Sequence, residues 1–73
     1  MDYKALGKEI RTRRKQLYLT QERLAELTDI SFAFVGHIER GTRKPSLETV
    51  IKIADALDCT IDELVGRHLD MPR

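Results

Sequence analysis

Seventy-three residues make one small domain at most, and 41% hydrophobic with 34% charged residues is ordinary for a globule. Thirteen Lys and Arg against twelve Asp and Glu leave a formal charge of +1, a total that argues against a nucleic-acid binder. One cysteine, Cys59, cannot close an internal disulfide, and Cys59, His37 and His68 lack zinc-ligand spacing, so no metal or cofactor is expected. No apolar run approaches the roughly 18 residues of a membrane span, and Met1 to Lys4 open no signal peptide. The expectation is a soluble cytoplasmic protein.

Apolar residues at helical spacing predict a first helix over 3–17, with Leu6, Ile10 and Leu17 as its stripe. Thr20 is the N-cap of a second, 21–28, in which Leu24, Ala25 and either Leu27 or Thr28 face inward, with Glu22 complementing the helix dipole. Thr28, Asp29 and Ile30 break that helix. Ser31 caps a third, 32–39, with Val35 and Ile38 inward and Gly41 just past its end. Gly-Thr-Arg-Lys-Pro over 41–45 is a loop. Ser46 caps a fourth helix, 47–57, with Leu47, Val50, Ile51, Ala54 and Leu57 inward. Thr60 and Glu63 form a capping box that opens a fifth, 61–66, carrying Ile61, Leu64 and Val65. The tail 67–73 reads as frayed. Helices of about eight residues are marginal alone in water, so they must share one core, and an all-α domain over 1–66 follows.

The charge total divides unevenly. Residues 1–45 hold ten basic groups and six acids, or +4, and residues 46–73 hold three and six, or −3. Such an asymmetry points to an anionic partner for the first part, or to solvated helix faces.

Two short helices joined by a three-residue turn, Gln21 to Arg40, form a helix-turn-helix pattern. Ala25 is small where the third helix crosses the second. Asp29 sits at the turn, where a positive φ is expected and Asp tolerates it.

At this point the chain resembles a family. The residues are Leu6-Gly7-Lys8-Glu9-Ile10-Arg11, Leu19-Thr20-Gln21-Glu22 with Leu24-Ala25-Glu26, and Ser31 followed by Val35 and Ile38-Glu39-Arg40-Gly41. The run continues through Pro45-Ser46-Leu47-Glu48-Thr49, Ile53-Ala54-Asp55-Ala56-Leu57 and Ile61-Asp62-Glu63-Leu64. In this order and spacing they look like the phage-repressor and Cro type of helix-turn-helix regulator, the XRE family. The resemblance implies a five-helix, lambda-repressor-like domain that binds double-stranded operator DNA as a homodimer. It implies a third helix in the major groove and half-sites about one helical turn apart.

Carried onto this chain, the resemblance makes Phe32, Ala33, Gly36 and His37 the base-reading positions. Phe32 and Ala33 suit a thymine methyl, and His37 a purine edge. Gly36 would admit a close approach of backbone to DNA. Gln21, Ser31, Arg40, Arg43 and Lys44 are implied as phosphate contacts, with Arg11, Arg13 and Lys15 as additions to the field. Arg14 and Glu39 are implied as a structural ion pair. Tyr18 and Asp58 stand where the family often has Gly. Phe34 is expected half-buried and Cys59 packed rather than reactive. A last-helix dimer surface would draw on Ile61, Leu64, Val65 and Leu69. The implied protein is a small repressor of bacterial or phage origin, nucleoid-associated when bound, with no membrane or small-molecule partner. The competing reading is a protein-interaction module using the Phe32–Ala33 face. No nucleophile–base pair or Gly-rich phosphate loop suggests an enzyme.

Overall fold

Short oxygen-bearing side chains set where the helices begin. In the computed structural model, which describes residues 1–66, the elements are α1 (Tyr3–Gln16), α2 (Gln21–Thr28), α3 (Phe32–Arg40), α4 (Leu47–Ala56) and α5 (Ile61–Val65). Among the described residues there is no strand. Asp2, Thr20, Ser31, Ser46 and Thr60 each accept from the N–H three residues on, at 3.0–3.1 Å. Such a cap contributes about 1 kcal/mol. Glu63 completes the capping box by accepting the Thr60 N–H at 2.8 Å. The Asp2 cap has no counterpart in the sequence reading, which began the first helix without one.

Four helices end in one pattern. The N–H groups of Leu19, Ile30, Thr42 and Cys59 reach back to the carbonyls of Arg14, Ala25, His37 and Ala54, at 3.0–3.2 Å. The residue before each turns left-handed: Tyr18 (φ 58°), Asp29 (56°), Gly41 (74°) and Asp58 (55°). Helix limits shift accordingly from the expected ones. Leu17 and Leu57 fall outside α1 and α4 as caps, Gly66 falls outside α5, and α3 runs one residue further, to Arg40. The α3 extension follows from Gly41, not Arg40, taking the left-handed conformation.

The core gathers Leu6 and Ile10 of α1, Leu24 and Ala25 of α2, Val35 and Ile38 of α3, Val50, Ile53 and Ala54 of α4, then Leu57 and Leu64. Burying each large side chain contributes about 1.5–3 kcal/mol. Thr28, not Leu27, completes the inner face of α2, and its hydroxyl donates to the Leu24 carbonyl at 2.6 Å. Three assigned core positions are corrected. Leu17 is 45% exposed, Leu47 68% and Ile51 42%. The stripe of α4 runs through Val50, Ile53, Ala54 and Leu57, with Ile53 added to the expected set; Leu47 and Ile51 lie on its flank. Phe34 is half-buried against the core. Residues 67–73, with the tail, His68 and Leu69, lie outside the described residues. Among the described residues no helix is long and apolar enough to cross a membrane.

Helix α1 meets α3 backbone to backbone. A Cβ placed on Gly7 would lie 2.2 Å from the Ile38 carbonyl oxygen and 2.6 Å from that of Glu39. Neither backbone can retreat without moving a helix. Two thermal-denaturation outcomes follow. Gly7→Ala is expected to cost about 3 kcal/mol or more. Tyr18→Gly relieves a strained φ at a side chain that is 94% exposed, and is expected to stabilise by about 0.5–1 kcal/mol, or about 2–8 °C in Tm.

Candidate nucleic-acid interface

The carboxylate of Glu39, near the end of α3, collects donors from both preceding helices. Arg14 of α1 binds it bidentately, Nε to Oε2 at 2.6 Å and Nη2 to Oε1 at 3.0 Å. The two side chains are 8% and 2% exposed. Gln21, first residue of α2, donates from Nε2 to Oε1 at 2.9 Å. Arg14 also donates from Nη1 to the Leu19 carbonyl at 2.8 Å, which ties down the α1–α2 turn. Among the described residues no buried side-chain polar atom lacks a partner. The link from Gln21 to Glu39 was not foreseen. Helical spacing relates residues within one helix, and these two lie on different ones.

Above this cluster is an open cleft of about 630 Å³, lined among others by Arg11, Thr20, Gln21, Phe32 and Arg40. The first amides of α2 open beside it. The Arg23 N–H is taken by the Thr20 hydroxyl and the Leu24 N–H by the Thr20 carbonyl, which leaves those of Gln21 and Glu22 at a positive helix end.

Helix α3 divides cleanly. Val35, Ile38 and Glu39 are buried, while Phe32, Ala33 and Arg40 are exposed and His37 partly so. Phe32 stands 53% exposed, large for an apolar ring. Gly36 is buried despite lying on the outward side, and the nearest atoms beyond its own helix backbone belong to the Arg40 guanidinium. The Thr42 hydroxyl donates to the His37 carbonyl at 3.2 Å and lies 2.9 Å from His37 Nδ1. The Ser31 hydroxyl accepts the Phe34 N–H and keeps its own proton to give.

The remaining cations are placed differently from one another. Arg43 is exposed in the α3–α4 loop. Lys44 places its ammonium 5.6 Å from the centre of the Tyr3 ring, a cation–π contact that ties the loop to α1. Arg13 is engaged by Glu9 at 2.7 Å and Arg23 by Glu26 at 3.0 Å, whereas Arg11 and Lys15 are exposed. Cys59 packs partly buried against the core, and burial pushes its thiol pKa up, opposite to the shift a nucleophile needs. Among the described residues no cluster of His, Cys, Asp and Glu is arranged to hold a metal ion.

A helix-turn-helix family model (HTH_3) matches residues 10–64. The transcriptional repressor RstR of the cryptic phage CTXphi, from Vibrio cholerae, is 38% identical over 62 residues, covering 85% of this chain and 55% of the repressor. The chain thus spans about half the length of that relative. The restriction-modification controller C.AhdI from Aeromonas hydrophila superposes with a TM-score of 0.84 at 40% identity, covering 86% of this chain and 96% of the controller. The P22 c2 repressor, solved in complex with a synthetic operator, superposes with a TM-score of 0.77 at 32% identity, covering 81% and 89%.

Removing the Glu39 carboxylate strands the buried Arg14 guanidinium. Glu39→Ala is expected to cost about 3–5 kcal/mol in chemical denaturation. The exposed Arg43→Ala is expected to stay within about 0.5 kcal/mol. Equal small effects would refute the structural role of the pair.

Proposed function

Because the chain belongs to the helix-turn-helix family of phage-repressor type, whose members are DNA-binding transcriptional regulators rather than enzymes, we propose that it is a repressor that inserts α3 into the major groove of an operator. Residues 1–66 are the binding domain, and two copies read two half-sites. The observation that carries this reading is the division of α3. One side is locked to α1 and α2 through Val35, Ile38 and Glu39, and the other presents Phe32, Ala33 and His37 to solvent. The P22 c2 repressor, a structural neighbour in complex with a synthetic operator, supports it. Such a protein works where the chromosome is, in the cytoplasm of a bacterial host.

On this reading Phe32 and Ala33 take thymine methyl groups, while Gly36, expected to admit a close approach of backbone to DNA, is buried and covered by the Arg40 guanidinium. His37 has a more defined part. Thr42 engages Nδ1, and Nε2 is the ring nitrogen left for a purine edge. Gln21 is the phosphate contact at the start of α2. Glu39 holds one of its amide protons, the second is left for a phosphate oxygen, and the adjacent backbone amides add to it. Ser31, Arg43 and Lys44 hold the flanking backbone and fix register without reading sequence.

Selection from random duplex DNA, followed by salt titration, tests the reading. The expected outcome is a two-half-site sequence whose log K falls with log salt by about 0.9 per phosphate neutralised. Arg43→Ala is expected to weaken all sequences alike and to reduce that slope by about one. His37→Ala is expected to relax one base position, costing about 1–3 kcal/mol on the preferred sequence alone. No enrichment and a flat salt dependence would point instead to the Phe32–Ala33 face as a protein interface. A monomer at micromolar concentration in sedimentation, with and without DNA, would remove the two half-sites.

A further inference from the structure

We propose that Arg40 reads a guanine within the recognition face, and that Gly36 is present to let it do so; the inference rests on the DNA-binding reading above. By sequence Arg40 falls just past the third helix, among the phosphate contacts. In the structure it is the last residue of α3. Phe32, Gly36 and Arg40 follow one another at intervals of four and share a face, and Ala33, seven residues before Arg40, lies beside them. Side chains on a helix lean toward its N-terminus. Arg40 follows that lean, and its guanidinium lies over Gly36. A Cβ on Gly36 would stand 3.0 Å from Arg40 Nη1 and 3.7 Å from Cζ and Nη2. A larger residue would take the ground the guanidinium occupies. After Pro, glycine is the least favourable residue for a helix interior, so its place here calls for a reason in what it admits.

The guanidinium is also uncommitted. The adjacent carboxylate, Glu39, is filled by Arg14 and Gln21. Among the described residues Arg40 forms no ion pair. Five N–H donors are therefore brought back from the end of α3 toward its first turns, the part of a recognition helix that meets base edges. A planar fork of donors matches the O6 and N7 acceptors of guanine in the major groove. It supplies what Phe32 and Ala33 cannot, a directional hydrogen-bonding group amid apolar contacts.

The test is site selection at fixed salt with the wild type, Arg40→Lys, Arg40→Ala and Gly36→Ala, each first checked for cooperative melting. The wild type is expected to enrich guanine at one position of each half-site. Arg40→Lys keeps the charge but not the fork, and is expected to lose about ten- to a hundredfold of discrimination at that base while keeping its salt slope. Gly36→Ala is expected to melt no lower than the wild type and to weaken preference at the same base, because its methyl group displaces the guanidinium. Retained guanine preference in Arg40→Ala would overturn the proposal and leave DNA binding intact. So would an Arg40→Ala protein weakened equally on every sequence with a shallower salt slope. A wild type that enriches no sequence would overturn the DNA-binding reading and this inference with it.

Discussion

Everything outward on α3 depends on how Glu39 is held inward. Apolar burial fixes a short helix to a core but is non-directional, and a nine-residue helix resting on Val35 and Ile38 alone could roll about its axis. The bidentate Arg14 pair sets that roll, since planar donors and acceptors must align to meet. Gln21 adds a second direction from α2. The backbone contact at Gly7 sets the depth, because α1 cannot stand off from Ile38 and Glu39. Polar cluster and glycine contact are two halves of one joint between α1 and α3. The exposed face of α3 is as well defined as that joint.

Much of this was legible in the sequence, for identifiable reasons. Helix starts show because a capping hydroxyl and the amide it takes are three residues apart, and Thr20, Ser31, Ser46 and Thr60 announce themselves. Stripes show where core lies opposite the whole helix, as for Leu6 and Ile10. Leu47 misled because it lies off the stripe of Val50, Ile53, Ala54 and Leu57 and stays exposed. Tyr18 is not a residue type that favours a left-handed turn, and the hint there and at Asp58 is that both stand where the family often has Gly. The backbone hydrogen bonds of Leu19 and Cys59 define the two turns. In the candidate site, Arg14 and Glu39 came from family likeness, and the structure shows the geometry of their contact. The contact of Arg40 with Gly36 was hidden by a helix end placed one residue short.

The formal charge of +1 is a poor guide to what this surface attracts. Arg13 and Arg23 are engaged by Glu9 and Glu26, and Arg14 by Glu39. Lys44 lies over Tyr3. Among the described residues, Arg11, Arg40 and Arg43 form no ion pair, and Arg11 and Arg40 line the cleft beside α3. Residues 46–66 hold one basic group and five acids, or −4, and none of these lines that cleft. A field made of a few unpaired arginines is weak at long range and falls off within about 10 Å at 0.1 M salt.

The separation of inner from outer residues along α3 also bears on how the protein changes over generations. Substitutions at Phe32 and Ala33 meet water rather than neighbours, so most leave the domain's stability nearly untouched. Those at Val35, Ile38 and Glu39 do not share that freedom. On the proposed reading, a duplicated gene can drift through new targets one residue at a time without passing through an unfolded intermediate. Helix α3 is in that sense an exchangeable part on a chassis that stays put.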